Sequence, residues 1–350
     1  MIVYFLFFLI VACIAACADL LKGRLWRNLA LFFIFVILFV PASIRYGIGT
    51  DYFFTYMPAI DAVLSGGDPD IDYSYVCIVN FVDWLGLDMQ CVFVVYALIT
   101  YSAALLALRN QPSLFIGVSI YFLIFYCSSL GLMRQCAAAA VLMLSVDMAF
   151  RKHWPLFIIL LCLAGFLHKS AMAYPLLMGA AFVISRLKKP WLYVVLGFAF
   201  FGACLLNGAD LIMNLAVNIS DHFLVYFMDE ENSGAAVLNS GLGTILRGIL
   251  LMMMFGFLVR DETPSSRWAA IMAFFFVCAL IVGMKLEIFR RFDVVLSVIV
   301  PIGCGMLYKS ENLSARCSAH LAVFAYLLLF LNNMRLNVNN VIPYTTIFHD

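Results

Sequence analysis

The sequence predicts an all-α, polytopic membrane protein of about 12 transmembrane helices, with extracytoplasmic loops carrying short amphipathic helices. Three observations predict it. Of the 350 residues, 65% are hydrophobic and 12% charged, where a soluble domain has about 45–50% apolar and about 25% charged residues. The mean hydropathy is +1.04. Apolar runs of 15 to 18 residues recur along the whole length, several of them short of the ~20 residues that cross a hydrocarbon core of about 30 Å. The net charge of +1 says nothing about nucleic acid, no Lys/Arg-rich run suggests it, and no nucleic-acid partner is expected. The chain 1–350 reads as one integral membrane domain.

The spans fall at roughly 2–18, 28–42, 89–108, 113–130, 134–150, 154–167, 170–186, 190–206, 243–259, 267–283, 292–308 and 316–331. The first is read as a span and not a signal sequence, because Lys22, Arg24 and Arg27 follow the apolar run, whereas a signal peptide begins with its charge. The run at 154–167 is the shortest. Short spans beside polar residues fit broken helices that line a cavity.

Tyr73–Asp88 is apolar but carries Asn80, Asp83 and Trp84. If it stays on the outer surface, the inner loops hold 13 of the 21 Lys and Arg residues, leaving 8 outside. If it crosses, all later loops exchange sides and the inner share falls to 10. Cytoplasmic loops are the richer in Lys and Arg. The segment is therefore expected to be an interfacial or re-entrant helix, with both termini extracytoplasmic. Two large outer loops result, 43–88 and 207–242, together with an outer C-terminal tail, 332–350. The first loop sets seven aspartates against Arg45. The halves show no matching repeat of the transporter kind.

The basic residues outside are the anomaly. Arg45 opens the stretch RYGIGTDYFFTY (45–56), Arg134 lies in GLMRQ, Lys169 follows His168 in GFLHKSA, and Arg290 and Arg291 lie in KLEIFRRFD. Arg134 and His168 are 34 residues apart, the length of a down-and-up helical hairpin, so both return to one level. Ala137–Ala140 permit close helix approach. One reading is that these cations snorkel at the interface. The other is that they converge on an outer-face cavity, where arginines bind a pyrophosphate bidentately.

Several roles stay open on the residues alone. His168 either caps a helix or acts as general base or acid. Asp51 either pairs with Arg45 or orients a substrate hydroxyl. Tyr46, Tyr52, Phe53, Phe54 and Tyr56 form either an interfacial belt or a sugar-stacking platform. No metal is expected, since the five histidines are scattered without ligand spacing. There is no phosphate loop, dinucleotide fingerprint or nucleophile elbow.

RYGIGTDYFFTY at 45–56, GLMRQCAAAAVLML at 131–144, GFLHKSAMAYPLL at 165–177, the RRF element at 290–292 and Pro343-Tyr344 resemble the EpsG-like family, the Wzy-type polymerases of O-antigen and exopolysaccharide. The resemblance implies a GT-C-like glycosyltransferase in the bacterial inner membrane, multi-pass, with its active site on the periplasmic face. The outer loops and tail then become periplasmic. Donor and acceptor would be oligosaccharides linked to undecaprenyl pyrophosphate, with no cofactor. Arg45, Arg134, Arg290 and Arg291 would bind pyrophosphate, His168 or Asp51 would take the acceptor proton, and Tyr52, Tyr56 and Lys169 would contact substrate. Membrane lipid and a polysaccharide co-polymerase that regulates chain length are the implied partners. The competing readings are a flippase or exporter of the same glycans, and another periplasmic transferase such as an O-antigen ligase.

Overall fold

Nine helices among the described residues are long and apolar enough to cross a membrane, and two shorter apolar helices accompany them. The protein is an all-α polytopic membrane protein. The structure is a computed structural model that describes residues 1–187, 189, 241–261, 263–283 and 291–348. The expected span at 190–206 and most of the expected loop 207–242 lie outside the described residues. Two compact units form, one from Met1–Pro175 with Ser297–Asp350, the other from Leu176–Leu296.

The first unit begins with α1 (Ile2–Leu21) and α2 (Arg24–Ile44). Both leave large apolar side chains such as Leu6, Ile10, Phe32 and Phe33 exposed, as lipid-facing helices do. After a π-helical turn (Tyr52–Tyr56) come α3 (Met57–Leu64) and α4 (Tyr73–Trp84). At about 1.5 Å per residue, the 12 residues of α4 are too short to span a bilayer core.

Then follow α5 (Gln90–Leu108), α6 (Leu114–Tyr121), a second π-helical turn and α7 (Cys127–Gly131). Next are α8 (Met133–Phe150), α9 (Trp154–Leu167) and a 3-10 turn (Lys169–Ala173) that leads into α10 (Tyr174–Ser185). In the second unit α11 (Gly241–Leu258) packs on α12 (Pro264–Gly283), which also packs on α13 (Arg291–Leu296). The first unit ends with α14 (Ile299–Lys309) and α15 (Leu313–Leu336).

Small residues set the packing of the first unit. Helix α8 lies against α5 and α9, and Ala137–Ala140 are buried on it. Ala97, Ala103, Ala104 and Ala107 of α5 are buried too. Without a hydrophobic force between helices in lipid, such small side chains permit the close backbone approach that gives dispersion contact.

Specific caps fix the ends. Asp19, at the end of α1, accepts from the backbone N–H groups of Leu114 (2.9 Å) and Phe115 (3.0 Å), and from the Ser113 hydroxyl (2.7 Å). Its carboxylate thus fills the donor end of α6. At the end of α8, Arg151 pairs with Asp147 at 3.0 Å, and the Asn110 amide, oriented to accept, faces its guanidinium. The start of α6 and the end of α8 therefore share one end of the unit, and the chain reverses at the single non-helical residue Leu132.

The C-terminal tail builds the opposite end. Tyr46 N–H donates to Thr345 C=O (3.1 Å), Ile347 N–H to Ile44 C=O (3.0 Å) and Gly49 N–H to Asn340 C=O (3.0 Å). Tyr344 of the Pro-Tyr element donates to the Pro41 carbonyl at 2.8 Å, and Tyr4 to the Val341 carbonyl at 2.8 Å. The tail thus holds the 45–49 segment as an added strand would. Gly49 has φ +99°, and a Cβ there would lie 2.4 Å from the Leu130 carbonyl oxygen and 2.6 Å from Gly131 Cα. Only glycine fits this crossing.

Candidate functional site

Asp72 is the N-cap residue of α4, in extended conformation. An N-cap aspartate ordinarily accepts from its own helix, but this one makes no such bond. Its side chain turns away, to the end of α9 and the start of α8. His168 Nδ1 lies 2.7 Å from Asp72 Oδ2. Arg134 Nη1 donates to the same oxygen, and the Lys169 backbone N–H donates to Oδ1 at 3.2 Å. Asp72 is 5% exposed.

The neighbours fix this arrangement. Ser74 donates to the Leu167 carbonyl at 3.1 Å and lies 3.4 Å from the Tyr96 hydroxyl, which ties the start of α4 to the end of α9. Tyr56 donates to the Gly131 carbonyl (3.0 Å) and accepts from the Met133 N–H (3.0 Å). Both backbone groups are freed by the reversal at Leu132, so the phenol satisfies what the break exposes. The Arg134 guanidinium carbon sits 5.8 Å over the Tyr56 ring, and its Nε is buried without a hydrogen-bond partner among the described residues.

Electrostatics favour ionised Asp72. Burial works to raise its carboxyl, but the His168 hydrogen bond, His168 and Arg134 together outweigh it and hold the group below the ordinary carboxylate value. Asp72 and Arg134 then balance in charge. Among the described residues nothing bonds His168 Nε2. An imidazole held by a carboxylate through Nδ1 has the geometry of the His–Asp pair in acyl-transfer triads.

Other expected site residues take different places. Arg45 is 1% exposed, donates to the Ala42 carbonyl (2.9 Å) and points to Met133 Sδ (3.3 Å), with its guanidinium 5.0 Å from the Phe93 ring centroid. It pairs with no carboxylate, Asp51 included, among the described residues. An arginine so enclosed braces the loop instead of presenting itself to a phosphate. Tyr52 and Tyr56 are likewise buried, Tyr52 stacked on Phe93 at 4.9 Å, so neither ring is an open sugar platform. The open rings of that stretch are Tyr46, Phe53 and Phe54, the last 88% exposed.

Asp51 precedes the π-helical turn, and its charge reaches the Tyr56 phenol, as those of Arg134 and Arg45 do. The Lys169 side chain is exposed beside His168. Arg290 lies outside the described residues, and for Arg291 only the backbone is described, at the start of α13. No group of three metal-ligating side chains forms among the described residues.

The EpsG family model matches residues 28–346, nearly the whole chain. The chain belongs to the EpsG family. It is accordingly a membrane protein of polysaccharide-polymerase type. No curated protein and no solved structure gave a match. The matched range contains Asp72, Arg134 and His168, which stand at the N-cap of α4, the start of α8 and the C-cap of α9 in this EpsG-family chain.

Asp72 is the residue that sequence reasoning missed. It was one aspartate among seven in the first outer loop, of which Asp51 alone was given a role. The available signal was its place immediately before the apolar run Tyr73–Trp84, the position of an N-cap.

Proposed function

We propose that this chain extends a polysaccharide at the periplasmic face of the bacterial inner membrane, moving the growing glycan from undecaprenyl pyrophosphate onto the distal sugar of a new lipid-linked repeat unit. The observation that carries the reading is the shared Asp72 contact of His168 and Arg134. His168 Nε2 takes the proton of the acceptor hydroxyl. The hydroxyl oxygen bonds to the anomeric carbon of the donor. The bond from that carbon to the pyrophosphate oxygen breaks, and undecaprenyl pyrophosphate leaves with the electron pair. Asp72 holds the imidazole with Nδ1–H toward itself and stabilises the imidazolium.

Arg134, partly exposed beside the imidazole and held by Asp72, is the guanidinium that meets the developing pyrophosphate charge in this reading. A preorganised guanidinium supplies such stabilisation without reorganisation. Arg290 and Arg291 are further pyrophosphate ligands in this proposal, on the strength of the RRF motif. Phe53 and Phe54 replace Tyr52 and Tyr56 as the rings that meet sugar.

The test is the glycan ladder of a strain lacking the chain. Lipid core capped by a single repeat unit is the expected result. Complete loss of capped core moves the function to export or ligation.

A further inference from the structure

At the other end of the first unit lies a cavity of about 670 Å³, lined by Lys22, Arg24, Arg27, Arg109 and Arg151 against one carboxylate, Asp19. It stands far from the Asp72 cluster. Arg134 and Arg151 sit at the two ends of α8, about 26 Å apart at 1.5 Å per residue. Charge asymmetry assigns this end to the cytoplasm.

The carboxylate does not neutralise the cations. Asp19 is spent on the start of α6, with three hydrogen bonds to Ser113, Leu114 and Phe115, and Arg27 approaches it only at 4.0 Å. Arg151 is paired with Asp147. Lys22, Arg24 and Arg109 make no ion pair or side-chain hydrogen bond among the described residues. Arg27 donates to the Gln111 carbonyl, while its Nε is buried without a partner.

Basic residues on a cytoplasmic loop need no further explanation when they point into water. These come from two separate inter-helix connections and the end of α8, and face one concave space. Convergence of like charges is unfavourable by itself. It is compensated when an anion occupies the space.

We infer that this cavity binds a phosphate group. Its donors are arginine forks, which match phosphate oxygens, and it lies at the level where lipid phosphates meet the ends of the spans. A phospholipid headgroup and a soluble phosphate offer the same oxygens.

The full-length protein, purified into nanodiscs of phosphatidylcholine or of equal parts phosphatidylcholine and phosphatidylglycerol, separates the sources. Lipid retention by native mass spectrometry and the thermal unfolding midpoint are read with and without inorganic phosphate. The variant Lys22→Gln/Arg24→Gln/Arg109→Gln is compared with the wild type, and Lys309→Gln/Arg316→Gln, at exposed cations outside the cavity, is the control. Phosphatidylglycerol retention that is about tenfold or more weaker in the triple variant, and unchanged in the control, establishes a lipid headgroup site. The same pattern for inorganic phosphate alone establishes a soluble ligand. Equal responses of wild type and triple variant, equal weakening in the control, or no response of the wild type to either ligand overturns the site. If the triple variant fails to fold, the same titration with Arg109→Gln decides in the same terms.

Discussion

His168 Nδ1 lies 2.7 Å from Asp72 Oδ2, although 96 residues separate them in sequence. The contact gives the imidazole a direction, and an ionised Asp72 accepts only from an Nδ1–H, which leaves Nε2 without a partner among the described residues. His168→Ala and His168→Gln are each expected to lower chain extension by about 10²–10⁴-fold, the usual contribution of a positioned general base. Because His168 is partly exposed, both variants should reach wild-type levels in the membrane. Quantitative ladder gels normalised to immunoblotted protein measure the effect.

Asp72 joins stability to pH. Its carboxyl is held below the ordinary value of 3.8. The sign follows: ionised Asp72 stabilises the fold above that range, and the contribution is lost as pH falls through the depressed folded-state value. Asp72→Asn should lower the unfolding midpoint at neutral pH, since Arg134 is left largely buried without its partner. Loss of one partner of a buried pair costs on the order of 3–5 kcal/mol. The midpoint of the variant should also decline less on acidification than that of the wild type. Thermal unfolding of purified protein across the acidic range measures both effects.

Much of this cluster was legible in the sequence. The spacing from Arg134 to His168 predicted their return to one level, and α8 and α9 make that hairpin. The alanines of α8 predicted close packing and are buried against neighbours. Asp72 was not legible as a site residue, because composition cannot distinguish a solvated loop carboxylate from an N-cap whose side chain leaves its helix. Arg45 was misread for a related reason. Charge argues for exposure, and only the enclosing Phe93, Met133 and Ala42 carbonyl show how this guanidinium is accommodated inside.

Gly49 sets the loop against α7. Gly49→Ala places a methyl group into the Leu130 carbonyl at a backbone φ of +99°. Strain of this kind costs about 1–3 kcal/mol before any repacking. The variant should show a lower unfolding midpoint and poor extension, while Gly66→Ala, at a loop tip with open space beside it, should be milder. Comparing the two midpoints separates the steric contact from the effect of positive φ.

The tail acts through the 45–49 segment. Tyr344→Phe removes the hydrogen bond to Pro41 and should lower stability by about 1 kcal/mol. Removing residues 341–350 deletes the pairing with Ile44 and Tyr46 as well. That truncation should make the 45–56 stretch sensitive to added protease, whereas Tyr344→Phe should leave it protected.

The central claim is that Asp72, His168 and Arg134 form one reacting centre. It is tested most directly by extension of a purified lipid-linked repeat unit by the purified chain, with wild type, His168→Gln, Asp72→Asn and Arg134→Lys compared at equal, folded protein concentration. Loss of extension in all three, with lipid-linked substrate still bound by His168→Gln, is the predicted result. Extension at wild-type rate by His168→Gln and Asp72→Asn would contradict it and place the base elsewhere, with Asp51 the first alternative.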